Sequence, residues 1–246
     1  LLPSCAVSPD DDDDDVADDD DVADDDDVAD DDDVADDDDD DVVADDTIYD
    51  VRQGAFADKT QVFLANVVIT SPMSESPPGF FIQEPGSESN PAYSGVYVYV
   101  NGENTVTAVS GDIAVGNTID ITATTKDYFG LMELTLADAA DLTVTGTGTI
   151  TPADVNACDV GTGGSTMEQY ESVLVRTGGV TVSSENPDDP DGDYGEFEVE
   201  SCLRVDDLFI EENPAMGTTF SSITGPMYYA YDNAKIAPRT VADLAQ

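Results

Sequence analysis

The sequence has no histidine, no tryptophan, seven lysines and arginines and three cysteines in 246 residues. Without histidine, Ser-His-Asp and Cys-His nucleophilic arrangements and histidine zinc sites are excluded. No uninterrupted apolar run approaches the roughly 20 residues a membrane-spanning helix needs. The glycine-rich stretch Gly161–Thr166 (GTGGST) lacks the lysine of a phosphate-binding loop and follows no strand-to-helix pattern, so it reads as a flexible loop. Adjacent carboxylates such as Asp206-Asp207 are expected by chance in so acidic a chain. With no catalytic constellation to build on, the chain is expected not to be an enzyme.

What is present is acid. Fifty-six aspartates and glutamates give a formal net charge of −49. Residues 10–46 hold 26 of the aspartates and no lysine or arginine, and from Val16 to Asp39 the hexad VADDDD repeats four times. The remaining 200 residues carry 30 acidic and 7 basic side chains. A field of this sign repels phosphate backbones and anionic headgroups and concentrates cations, so nucleic acid is not an expected partner. Calcium is: it takes six to eight oxygen ligands in flexible geometry, whereas magnesium keeps its water. The candidate ligands in the repeat are Asp18, Asp19, Asp20, Asp21, Asp24, Asp25, Asp26, Asp27, Asp30, Asp31, Asp32, Asp33, Asp36, Asp37, Asp38 and Asp39.

The hexad also constrains conformation. In an α-helix, successive valines would turn by about 240° and scatter around the axis. In an extended chain, Val16, Val22, Val28 and Val34 stay in line, one repeat every 19 to 20 Å or so. An extended strip with apolar pegs and carboxylate rungs is expected. A solvated acidic spacer is the bland alternative. A second candidate calcium position is Asn186–Glu196 (NPDDPDGDYGE), where Asp189, Asp191 and Asp193 alternate as in calcium loops. It lacks the distal glutamate of an EF-hand, and an acidic turn competes with it.

Cys158 and Cys202 both lie in the second half, and an exported chain would oxidise them to one disulfide. Abundant threonine, glycine and asparagine suit an exported β-protein. The chain starts at Leu1, and LLPSC reads as the end of a secretion signal. That stretch also resembles a lipobox, although Pro3 is atypical there. For Cys5 a lipid anchor, an intermolecular disulfide and an idle thiol all stand open. An extracellular or cell-surface location is expected.

From Thr47 onward the period becomes that of strands. Val96, Val98 and Val100 alternate with Tyr97 and Tyr99. Leu142 and Val144 alternate with threonines, and Phe197 and Val199 with glutamates. Clusters of glycine, proline and asparagine punctuate the runs, and helical signals are confined to short pieces such as TIYDVRQG and TVADLA. The halves repeat: QVFLANVVIT, GFFIQEP, GVYVYV and GNTIDITATTKDYFGLMELTL line up with ESVLVRTGGVTVSS, YGEFEVES, CLRVDDLFI and GTTFSSITGPMYYAYDNAKIAPRT. Ile121-Thr122-Ala123 matches Ile223-Thr224-Gly225, and the turn Phe129-Gly130 is matched to Asp232-Asn233. Tyr97, Tyr99, Tyr228, Tyr229 and Tyr231 could stack bases. The scattered cations offer no basic groove, so core packing or protein contact accounts for them better.

This order of strands resembles bacterial secreted OB-fold modules, some of which precede extracellular nuclease or phosphatase domains. GFFIQEP with GVYVYV carries the resemblance, and LRVDDLF with TFSSITGPMYYAYDNAKIAPR looks like a second module. The tandem arrangement also resembles subunits of bacterial extracellular filaments. The resemblance implies an all-β chain of two tandem five-stranded OB-like barrels, at residues 47–152 and 153–246, preceded by an extended tail, 1–46. The function expected is a calcium-binding structural protein assembling head-to-tail with copies of itself. The rival is a surface module binding a glycan, protein or nucleic acid, its tail a spacer or calcium buffer.

Overall fold

Residues 46–246 are described by a computed structural model, and most of their regular structure is strand. The first half contains α1 (Ile48–Arg52), β1 (Gln61–Ile69), β2 (Ser74–Glu75), β3 (Pro78–Gln83), β4 (Gly95–Val100), α2 (Glu103–Val109), β5 (Asn117–Tyr128), β6 (Leu131–Leu136) and β7 (Leu142–Thr147). The second contains β8 (Ala153–Asp154), α3 (Ala157–Val160), α4 (Met167–Tyr170), β9 (Leu174–Ser184), β10 (Phe197–Val199), β11 (Leu203–Val205), β12 (Thr219–Ala230), β13 (Asn233–Ile236) and β14 (Leu244–Ala245).

Five strands of the first half close in the order β1-β3-β4-β6-β5-β1, antiparallel except for the parallel pair β4–β6. The second half closes in the matching order β9-β10-β11-β13-β12-β9, with β11–β13 the parallel pair. Closure removes the exposed edges that open sheets must protect. The chain is all-β, with OB-like barrels.

Period-two patterning explains the inner surfaces. Along β5, Ile119, Ile121, Ala123 and Thr125 are buried while the residues between them are less so. Ile121 pairs with Leu64 of β1, and both belong to the first core with Phe80, Val96, Val98 and Val100. In the second barrel Phe197, Val199, Phe220, Ile223 and Ile236 occupy the corresponding core. On β4 the other face is buried too: Tyr97 is 1% exposed. It packs with Phe81, Leu131 and Tyr228 in an aromatic cluster joining the barrels, with ring centroids 4.9 Å (Phe81–Tyr97) and 5.5 Å (Tyr97–Tyr228) apart.

The seam between the barrels is tight and polar as well as aromatic. Gly95 is required there, because a Cβ would sit 2.1 Å from the Ser172 carbonyl oxygen. Leu174 N donates to Gln83 Oε1 at 2.9 Å, and Arg239 Nη1 donates to the Thr70 carbonyl at 3.1 Å. Arg52 reaches from α1 to the Glu171 and Glu168 carbonyls, both at 2.9 Å, and pairs with the Glu171 carboxylate at 2.8 Å. Burial pushes the Glu171 carboxyl up despite Arg52 beside it, and burial lowers the Arg52 guanidinium.

Three expectations need correction. The alternation in Leu142–Thr147 does not mark a buried face: Leu142 is buried but Val144 is 38% exposed, because β7 lies outside the ring and pairs only with β5. The second hairpin turns at Tyr231-Asp232, one residue earlier than the sequence match places it. Both residues have positive φ, as do Phe129 and Gly130 in the first hairpin. In TVADLA the helical signal is realised only as a three-residue 3₁₀ turn, Val241–Asp243, and Leu244-Ala245 form the short strand β14. TIYDVRQG is helical as expected: Thr47 and Asp50 form a reciprocal capping box at the start of α1.

Candidate functional site

The sixteen candidate calcium ligands of the repeat, Asp18 to Asp39, lie outside the described residues, as does Cys5. The end of the acidic segment does not. Asp46 bridges in parallel to Leu64, and its Oδ2 accepts from Phe63 N at 2.9 Å. Thr47 then caps α1, and Ile48 N donates to Glu84. The chain therefore enters the folded body along β1 by backbone pairing, with no lysine or arginine at the junction.

The acidic loop between β9 and β10 folds around Asn186 and Asp188. Asn186 Nδ2 donates to the Gly192 carbonyl at 2.8 Å, and Asp191 N and Gly192 N return to the Asp188 carbonyl. Asp188 turns inward to Arg204, 2.9 Å away. Asp189, Asp191 and Asp193 are left exposed, and Asp193 accepts from Gly195 N at 3.1 Å. Among the described residues no three carboxylates or cysteines converge as a metal-holding group. The turn hydrogen bonds and the pull of Arg204 direct the loop.

The cations are the informative side chains, and sequence reading saw them only as scattered. All seven have carboxylate partners within the body. Arg52 pairs with Glu171 at 2.8 Å, Lys126 with Glu133 at 2.9 Å, Arg176 with Asp154 at 2.7 Å and Arg239 with Asp243 at 2.9 Å. Lys59 lies 3.7 Å from Asp58 on the surface. Arg204 binds Asp188 and Glu196, and Lys235 contacts Glu196 and lies 3.1 Å from Asp206 Oδ2. Burial pushes Asp206 up to about 6 although Lys235 opposes the shift. Burial also raises Glu133 against the pull of Lys126.

The tyrosines divide. Tyr97 and Tyr228 are buried in the seam with Tyr99 and Tyr229 packed against them, which makes them packing groups. Burial raises both phenols, and Tyr97 shares its hydroxyl contact with Ser74. Tyr231 is 91% exposed and Phe129 is 85% exposed, each at the tip of its barrel's hairpin. A concavity beside the disulfide, lined by Val155, Asn156, Gly178, Gly179 and Glu200, has a volume of about 190 Å³. Small-molecule pockets usually enclose roughly 300 to 1,000 Å³.

Cys158 and Cys202 form the expected disulfide, with Cα atoms 5.2 Å apart. It fastens α3 to the turn between β10 and β11 across a sequence separation of 44. Gly161 lets the two segments meet, since a Cβ there would lie 2.0 Å from the Cys202 carbonyl oxygen. Constraint of the unfolded chain by a loop of this size is worth roughly 4 kcal/mol.

No protein-family model and no curated protein sequence matches the chain. Among solved structures, it is similar to crystal forms of the mitochondrial single-stranded DNA binding protein Rim1 from S. cerevisiae. One is 16% identical with a TM-score of 0.30, covering 37% of this chain and 100% of that one. Another is 15% identical with a TM-score of 0.30, covering 38% and 100%. No helix of the described residues is long and apolar enough to cross a membrane.

Proposed function

We propose that the chain is a non-enzymatic, calcium-binding structural protein of the cell exterior that assembles head-to-tail into a filament. The observation that carries this reading is the engagement of every lysine and arginine with carboxylates of the folded body. Lys59 is held only loosely, 3.7 Å from Asp58 at the surface, and seven cations are in any case too few for the 26 aspartates of residues 10–46. Unit charges about 6 Å apart repel by roughly 0.7 kcal/mol in water and by more when desolvated, so ordering such a strip needs counter-ions from solution. Outside cells the divalent cation suited to many flexible carboxylate oxygens is calcium.

Charge and spacing support the rest. The tail carries one sign of charge and the body carries the same sign, so calcium can bridge tail carboxylates to exposed ones of another subunit. The exposed Asp189, Asp191 and Asp193 would supply one such acceptor, completed by the incoming tail. In-line valines every hexad would register the strip. A contact between different surfaces of identical subunits, when it does not close, propagates as an open filament. The tightly seamed barrels suit a rigid repeat unit, and the disulfide suits an oxidising compartment.

The exposed hairpin tips at Phe129 and Tyr231 favour a second reading, a surface binding module for a glycan, protein or nucleic acid. The paired cations weigh against a backbone-tracking nucleic-acid groove, which needs free positive charge. Electron microscopy in millimolar calcium and after chelation separates the readings. Filaments that persist in calcium and dissolve on chelation support assembly through the tail. Monodisperse particles in both conditions overturn it in favour of the binding module.

A further inference from the structure

The second barrel buries a lysine against two carboxylates with solvent nearly excluded. The side chains of Lys235, Asp206 and Glu196 are 4%, 6% and 7% exposed. Lys235 sits on β13, Asp206 follows the parallel neighbour β11, and Glu196 precedes β10. Asp206 N donates to the Ile236 carbonyl at 2.9 Å, which holds the two backbones in register beside the ion pair. We propose that this triad is a modification site at which Lys235 Nζ and Asp206 Cγ condense spontaneously into an intramolecular isopeptide bond, with Glu196 as the proton carrier.

Each part has a place in the chemistry. Lys235 Nζ is 3.1 Å from Asp206 Oδ2, and the Leu208 N–H donates to Asp206 Oδ1 at 2.8 Å. That amide is aimed at the oxygen on which negative charge develops when the carbonyl carbon is attacked. Glu196 contacts Lys235 through Oε1, while Arg204 Nη1 holds Oε2 at 3.0 Å and fixes the carboxylate as an acceptor. The reactive protonation state is one proton transfer away. Lys235 gives a proton to Asp206, producing a neutral amine and a neutral carboxylic acid, and burial favours a neutral pair over two desolvated charges. Burial pushes the Asp206 carboxyl up to about 6, so the acid form is accessible. For Lys235 burial, which alone would lower its pKa, is outweighed by Asp206 and Glu196, and the resting site is the ion pair.

The amine then attacks Cγ and forms the C–N bond. Glu196 takes a proton from the attacking nitrogen and delivers it to the Oδ2 hydroxyl, which leaves as water when the C–O bond breaks. One ammonium and one carboxylate become one amide and one water, with no redox change and no external reagent. The same demands exclude the other ion pairs. Arg52 and Arg239 are not nucleophiles, and Lys126 is 38% exposed and faces a single carboxylate.

Mass spectrometry of the full chain decides it. After reduction and alkylation, the intact mass is expected to fall one water below the mass of the fully alkylated sequence, and a digest should contain a branched peptide joining the segments around Asp206 and Lys235. Lys235→Arg should restore the full mass. Asp206→Asn should still cross-link, now losing ammonia, while Glu196→Gln should leave a folded, largely uncross-linked chain. A folded wild-type protein with the full sequence mass after prolonged incubation, and with Lys235 recovered in ordinary linear peptides, would overturn the proposal.

Discussion

At the third residue after its hairpin the first barrel carries Glu133 and the second carries Lys235. Glu133 pairs across the sheet with Lys126, and Lys235 lies opposite Tyr228. In the first barrel the lysine of this pair is half-exposed over the buried Glu133, and the core is broad, running from Ile48 and Leu64 to Leu136 and Leu142 and including α2. The second has three-residue strands β10 and β11 and a smaller apolar core. It adds a disulfide and a buried network of Arg204, Asp188, Glu196, Lys235 and Asp206. One ring order thus accepts two ways of being held together, and the barrel with less core is the one with covalent and ionic fastening, as small exported domains tend to be.

Substitutions should expose this difference in order of size. Lys235→Met removes the cation, or the cross-link formed from it, and leaves Asp206 buried without its cation partner while Glu196 keeps Arg204; it is expected to cost about 3 to 5 kcal/mol, read by urea unfolding. Lys126→Met, where the lysine is half-exposed but its partner Glu133 is buried, should cost less, about 1 to 3 kcal/mol. Equal losses would erase the contrast. Removing the disulfide with Cys158→Ser and Cys202→Ser should cost about 2 to 4 kcal/mol, and the loss should vanish when wild-type protein is compared under reducing conditions.

At the seam, Gly95→Ala forces a methyl group into the Ser172 carbonyl. A loss of about 1 to 3 kcal/mol is expected, with proteolysis between the barrels as a sensitive readout. Acidity gives the smallest and most unusual effect. The carboxyls of Glu84, Glu133 and Glu171 are raised chiefly by burial, so the folded state binds more protons than the unfolded one above about pH 4. Stability should therefore fall as pH rises through their raised values and be greatest below that window. Denaturant midpoints that drop on mild acidification, from pH 7 towards 5, would contradict this.

Much of this architecture was legible in the sequence, and the failures have physical causes. Alternation in GVYVYV and GEFEVES located β4 and β10, and the Ile-Thr match aligned β5 with β12. Period two says which residues share a face, not how many faces are covered. Tyr97 is buried because a second barrel lies on it, and Val144 is exposed because β7 stands outside the ring. The turn falls one residue earlier than the match placed it because Tyr231-Asp232 adopts positive φ without glycine, which no turn residue announces. The Lys235 triad is assembled from residues 196, 206 and 235 by a parallel pairing that no local pattern announces. The seven cations looked isolated for the same reason.

The most direct test of the central claim is sedimentation velocity of the full-length protein across a range of concentrations, in calcium, in magnesium and in EGTA. A calcium-specific, concentration-dependent shift to rapidly sedimenting species, reversed by EGTA and absent in magnesium, is the predicted result. A single monomeric boundary in all three conditions would contradict it.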